Sequence, residues 1–218
     1  MKRVMVILAV SLSILISFTL AMAADIPTVL LILRDGMPQY LDTMLTKEVG
    51  VMKSMLERAG FKVVAATTDG LPSKGSAVTL TPDLKLSDVK IDDYVGVIIA
   101  CTGGGAVPYT SVSPVAVSIV KQAITKGKPV AASHGSVIII AEAGVLEGKR
   151  YGYWVDPLGP GRAPDDRFTG AIYGGTGVVQ DSNIITCGAC PQVSADQGLP
   201  DGTVELTQAF ITMLTSKK

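Results

Sequence analysis

Short apolar runs alternate with helical patterns along most of this chain. Each run is rich in branched or small apolar residues and is bounded by polar or glycine-rich stretches, as in strands buried on both faces of a parallel sheet. These predicted strands lie at 28–33, 61–66, 95–100 and 130–132. Apolar residues at helical spacing follow them and predict helices over about 43–59, 113–125, 137–143 and 203–214.

Three further segments are less regular. A short edge strand is expected at 78–80, and 177–180 with 183–186 predicts a hairpin. The glycine- and proline-rich stretch 151–176 is expected to be a long surface loop. The whole pattern predicts an α/β fold, a three-layer sandwich on a mostly parallel sheet, with its site beyond the carboxyl ends of the strands.

Residues 1–23 have the pattern of a secretory signal peptide. Positive residues at 2 and 3 precede an uncharged apolar run at 4–20, and a small-x-small cleavage pattern ends the segment. An uncleaved membrane anchor is the alternative, although the run is near the lower length limit for a span. We therefore expect cleavage before Ala24, an exported, periplasmic domain over residues 24–218, and no membrane attachment of that domain.

The charge balance argues against a nucleic-acid partner. Lysine plus arginine and aspartate plus glutamate number 19 each, and no basic stripe appears. The chain is long enough for one domain with a sizeable core. We expect a small-molecule substrate or ligand, and we predict no resident cofactor and no metal.

The stretch 129–150 is the candidate centre of the chemistry. Its strand ends at Ser133-His134-Gly135 and a helix begins at once, with small residues on both sides, which is typical of a nucleophile elbow. Ser133 is thus the candidate nucleophile, and His134, the only histidine in the chain, is the candidate base. Gly103 and Gly104 follow the preceding strand, where consecutive backbone N–H groups suit an oxyanion hole; a simple tight turn is the alternative.

Four ordered stretches resemble the ThiJ/PfpI family of the class I glutamine amidotransferase-like superfamily. They are Glu48 with 57–63, 92–104, 133–150 and 178–186. The resemblance implies a flavodoxin-like fold and a homodimer or larger homo-oligomer. It also implies a site in which an elbow cysteine lies beside a glutamate from the first helix, often with a histidine after the cysteine. By position, Glu48 corresponds to that glutamate, His134 to the histidine, and Gly103-Gly104 to the oxyanion side.

Ser133 is the departure from the family pattern, because the family has cysteine there. A serine hydroxyl does not ionise near neutral pH and needs a neighbouring base, so cysteine-dependent glyoxalase or deglycase chemistry is not expected. Two functions stay open. One is a hydrolase-like enzyme that acts on a small acyl or peptide-like substrate through Ser133, His134 and Glu48. The other is a non-catalytic binding or stress-related protein that keeps the pocket without the chemistry.

Cys187 and Cys190 form a C-x-x-C pair with three interpretations. A structural disulfide between them, in an oxidising compartment, is the favoured one. A redox pair is the second. The third is a zinc site that also includes Cys101 and His134, since these residues follow predicted strand ends.

Overall fold

The computed structural model describes residues 25–102 and 112–216. The predicted signal peptide, Gly103 and Gly104 lie outside the described residues, so these predictions remain untested. Within the described ranges, none of the helices is both long enough and apolar enough to cross a membrane.

The strands and helices alternate along most of the chain. The strands are β1 (Thr28–Leu33), β2 (Lys62–Thr67), β3 (Ser73–Lys74), β4 (Thr79–Leu80), β5 (Leu84–Lys85), β6 (Gly96–Ala100), β7 (Val130–Ser133), β8 (Arg150–Tyr151), β9 (Ile172–Tyr173), β10 (Val178–Asp181) and β11 (Ile184–Cys187). The α-helices are α1 (Pro38–Met44), α2 (Gly50–Arg58), α3 (Pro114–Thr125), α4 (Val137–Glu142), α5 (Pro191–Gln197) and α6 (Thr203–Thr215). A π-helical turn, Leu45–Val49, joins α1 directly to α2.

Seven strands form the central sheet in the order β10-β11-β7-β6-β1-β2-β5. All neighbouring pairs are parallel except β10 and β11, which form the predicted hairpin. A short strand does form at the segment predicted as an edge strand, 78–80, but it is not part of the central sheet. This strand, β4, pairs with β3 in a separate two-stranded sheet. The edge position belongs to β5 instead.

Helices cover both faces of the sheet, which confirms the predicted three-layer α/β sandwich. Successive residues of β1 point to opposite faces, so Leu30 and Ile32 pack with α3 and α4. Val29, Leu31 and Leu33 pack with α1, α2 and α6 on the other face. An apolar core therefore covers each face of the sheet.

The stretch 151–176 is largely irregular and mostly exposed over 158–164, as predicted, but it also contributes side chains to the core. Tyr151, Tyr153 and Phe168 are buried in the same core as α3 and α4. Their rings pack together, with the Phe168 centroid 5.0 Å from that of Tyr151 and 5.2 Å from that of Tyr153. These large rings attach the segment to the core, although most of its other residues are exposed or only partly buried.

A small third cluster lies where β6 and β11 end. It contains Met44, Cys101, Ala189, Cys190 and Val193, which come from α1, the end of β6 and the start of α5. The short helix α5 was not predicted from the sequence. It begins with Pro191 at its first position and brings Cys190 toward the end of β6.

Candidate functional site

Glu48 joins three segments at the carboxyl ends of the strands. Its side chain is fully buried on the π-helical turn. Oε1 accepts hydrogen bonds from the Ser133 hydroxyl and from the backbone N–H of Cys101, the latter at 3.0 Å. Oε2 accepts the backbone N–H of Thr102 at 2.9 Å. Burial and, to a smaller extent, the neighbouring Cys101 raise the pKa of Glu48 to about 8, although these hydrogen bonds oppose the rise.

Ser133 lies beside Glu48, as expected, but it does not occupy the sharp turn. Its backbone is extended, with φ −102° and ψ 136°, and its side chain is fully buried. The residue with left-handed backbone is His134, at φ 41°. A nucleophile elbow places its strained residue at the strand-to-helix turn, so the elbow position belongs to His134 and falls one residue later than the sequence interpretation.

His134 faces Cys101 and Cys190. Its Nδ1 lies 3.3 Å from Sγ of Cys101. A hydrogen bond from the Cys190 thiol lowers the pKa of Cys101 well below its usual value, and His134 and Arg34 lower it further while burial opposes them. The same interaction with Cys101, together with burial, raises the pKa of Cys190.

A cavity of about 160 Å³ opens onto this thiol–imidazole group. Its lining residues are Met37, Tyr40, Cys101, His134, Cys190, Gln192, Val193 and Asp196. Ser133 and Glu48 are not among them. The groups that a bound molecule would meet are thus Cys101, His134 and Cys190.

The structure has no disulfide between Cys187 and Cys190, the pairing expected from the sequence. All three cysteines are free. The Cys187 thiol donates to the carbonyl of Ala189 at 3.5 Å, whereas Cys190 turns toward Cys101 at the start of α5. Burial raises the pKa of Cys187 to about 12, so this thiol behaves as a core residue.

Aromatic rings form one wall around the imidazole. The His134 ring is stacked on Tyr153 with 6.5 Å between centroids, and it meets Trp154 edge-on at 6.3 Å. Arg162 lies over the Trp154 ring at 5.7 Å. These contacts hold the imidazole in one orientation beside Cys101.

Cys101 is the site residue that sequence reasoning missed as a centre of chemistry. The sequence places it at the end of a buried apolar run, where cysteine is an ordinary core residue. The available signal was its position at the carboxyl end of β6, beside the strand that carries His134.

Comparisons with known proteins relate this chain to one family. Residues 28–195 match the model of the DJ-1/PfpI family. An uncharacterized protein of Archaeoglobus fulgidus is 39% identical over 106 residues, which are 48% of this chain and 58% of that protein. One from Methanocaldococcus jannaschii is 33% identical over 134 residues, 61% of this chain and 63% of that protein. The chain thus spans about three fifths of these relatives.

Solved structures show the same fold at low identity. A ThiJ/PfpI domain protein from Brachyspira murdochii superposes with a TM-score of 0.64 at 20% identity, covering 87% of this chain and 96% of that one. DJ-1beta of Drosophila melanogaster gives a TM-score of 0.60 at 23% identity, covering 86% of this chain and 90% of that one. At such identities the likeness concerns the fold alone.

Proposed function

Because the chain belongs to the DJ-1/PfpI family, we propose that it is a hydrolase-like enzyme acting on a small acyl or peptide-like compound, with Cys101 rather than Ser133 as nucleophile. The observation that carries the proposal is the 3.3 Å separation of Cys101 Sγ and His134 Nδ1 at the wall of the cavity. A nucleophile and a base within contact distance of each other, both open to a pocket, are the pattern of nucleophilic catalysis.

Ser133 is a poor alternative for a geometric reason. Its hydroxyl donates to Glu48, its side chain is fully buried, and it does not line the cavity. Cys101 lines the cavity, so a substrate bound there would contact Cys101 and not Ser133. The role of Ser133 is then to complete the hydrogen bonds of the buried Glu48.

The proposed reaction has two steps. Cys101 Sγ attacks the acyl carbon while His134 Nδ1 takes the thiol proton and returns it to the leaving group. A water molecule then cleaves the thioester, which gives the free acid and restores the thiol. The backbone N–H groups of Cys101 and Thr102 donate to Glu48, so they are unavailable to the oxyanion.

Covalent labelling tests the choice of nucleophile. The chelator-treated, reduced chain is incubated with iodoacetamide and, separately, with a fluorophosphonate probe, and the modified residue is located by peptide mass spectrometry. We expect carbamidomethylation of Cys101 and no phosphonylation of Ser133. Cys101→Ala should abolish this labelling, whereas Ser133→Ala and the matched control Cys187→Ala should retain it, because neither side chain lines the cavity.

Turnover provides the second readout. Activated esters and small peptides are offered as substrates, and their rates of hydrolysis are measured. The rate should fall by about 10²-fold or more in His134→Ala relative to the unsubstituted protein, which is the usual effect of losing a positioned base. Phosphonylation at Ser133, or turnover that survives Cys101→Ala, would overturn the proposal. Labelling of Cys101 without turnover of any ester or peptide would instead support the binding protein that keeps the pocket without the chemistry.

A further inference from the structure

Three side chains with metal-binding atoms meet at the base of the cavity. They are Cys101, His134 and Cys190, and their ligand atoms all lie within 4.8 Å of one another. Each is buried, with relative exposures of 0%, 6% and 1%. They come from three different elements, because Cys101 follows β6, His134 follows β7 and Cys190 precedes α5.

The spacing of these atoms is close to that of a tetrahedral site. Zinc bonds of about 2.3 Å to sulfur and 2.0–2.1 Å to nitrogen place two sulfur ligands about 3.8 Å apart, and a sulfur and a nitrogen about 3.5 Å apart. Sγ of Cys101 and Nδ1 of His134 are 3.3 Å apart, and no separation in the group exceeds 4.8 Å. Shifts of about 1 Å or less would bring all three to a single ion.

The fourth coordination position would face the cavity. The cavity has a volume of about 160 Å³. A single water molecule needs about 10–15 Å³ of such space, so the cavity has room for one at this position. Gln192 and Asp196 also line the cavity and offer polar side chains as partners for such a water. Structural zinc sites are closed by four protein ligands, so three ligands with an open position are typical of sites that admit a solvent molecule or a substrate.

The neighbouring contacts favour Cys101, His134 and Cys190 as metal ligands and leave out Cys187. The left-handed backbone of His134 turns its ring toward Cys101, and the stacked Tyr153 ring supports it. The Cys187 thiol is engaged with the Ala189 carbonyl instead. Two thiols and an imidazole favour zinc over magnesium and calcium, which prefer oxygen ligands.

We propose that Cys101, His134 and Cys190 bind one zinc ion, with the fourth position open to the cavity. The site is independent of the proposed hydrolytic role, since the donors converge whether or not Cys101 attacks a substrate. It has one consequence for that role. The ion occupies the Cys101 sulfur, so zinc should protect Cys101 from alkylation.

Cobalt serves as the spectroscopic probe for this site. The full chain is purified under reducing conditions, stripped with chelator and titrated with Co²⁺. We expect one equivalent to produce thiolate-to-cobalt charge-transfer absorption together with the visible bands of a tetrahedral ion, and one equivalent of Zn²⁺ to abolish both. This experiment uses the unsubstituted protein, so it does not depend on whether a variant folds.

Variants then assign the ligands. Cys101→Ser, Cys190→Ser and His134→Ala should each weaken cobalt binding at least tenfold, whereas Cys187→Ser should leave it unchanged. Absence of the absorption bands, or an equal loss in Cys187→Ser, would overturn the proposal. The two proposals fail separately, because labelling of Cys101 in chelator tests the nucleophile, and the cobalt bands test the metal site.

Discussion

Substitution of Glu48 by glutamine should destabilise the protein through backbone hydrogen bonds rather than through charge. One carboxyl oxygen accepts the N–H of Cys101 and the other accepts the N–H of Thr102. An amide has a single oxygen, so in either orientation its NH₂ faces one of these N–H groups. This mismatch arises whether the native carboxyl is ionised or protonated.

The expected cost follows from the groups left without partners. A buried donor without an acceptor costs about 1–3 kcal/mol, and here the backbone N–H and the new NH₂ are both affected. We expect a loss of about 2–4 kcal/mol in the free energy of unfolding. For a chain of this size that is a fall of about 4–16 °C in Tm.

Thermal and urea unfolding measure this effect, with Glu57→Gln as the matched control. Glu57 undergoes the same chemical change on the exposed side of α2, where it pairs with Lys53, so its effect should stay within about 0.5 kcal/mol. If Glu48→Gln were as stable as Glu57→Gln, the stabilising role of the hydrogen bonds that Glu48 accepts from Cys101, Thr102 and Ser133 would be refuted.

Two further predictions concern residues that do not line the cavity. A Cβ at Gly188 would lie 2.5 Å from the Tyr153 carbonyl, so Gly188→Ala should cost about 1–3 kcal/mol in urea unfolding, and Gly177→Ala, with open space around it, should be nearly neutral. Backbone N–H groups of 76–78 lower the pKa of Asp42. Its contribution is therefore present above the unfolded-state pKa and is lost as pH falls through the lower folded value. Asp42→Asn should thus be less stable than wild type at pH 7, and the difference should shrink at strongly acidic pH. A constant difference at all pH values would contradict the Asp42 prediction.

The sheet could be predicted from the sequence because its strands are buried on both faces. The runs at 28–33 and 96–100 are almost entirely apolar, and such short continuous runs are typical of parallel strands that are buried on both faces. The first helix was predicted with the wrong start. Its pattern indicates 43–59, whereas the helical segment begins at Pro38 and contains the π-helical turn, which shifts the apolar positions before it out of phase with those after it.

The site was predictable in its location but not in its chemistry. The pairing of Glu48 with Ser133 was expected, and the structure brings the two together. Spacing alone does not decide whether Ser133 or His134 takes the left-handed backbone at the turn, since either fits between the strand and the helix. The role of Cys190 depends on α5, a short helix whose approach to β6 has no signal in the local pattern.

The π-helical turn also affects how the chain tolerates a change of length. A π turn holds one residue more than an α turn, so deleting Lys47 would leave enough residues for an uninterrupted α-helix. With α2 fixed by its packing, α1 would then rotate by about 100° about the common axis. Met44 and Asp42 would leave their present contacts, although no residue of the cavity had been substituted. A single-residue deletion at this turn would thus reposition the part of the pocket wall that α1 contributes and leave the sheet intact.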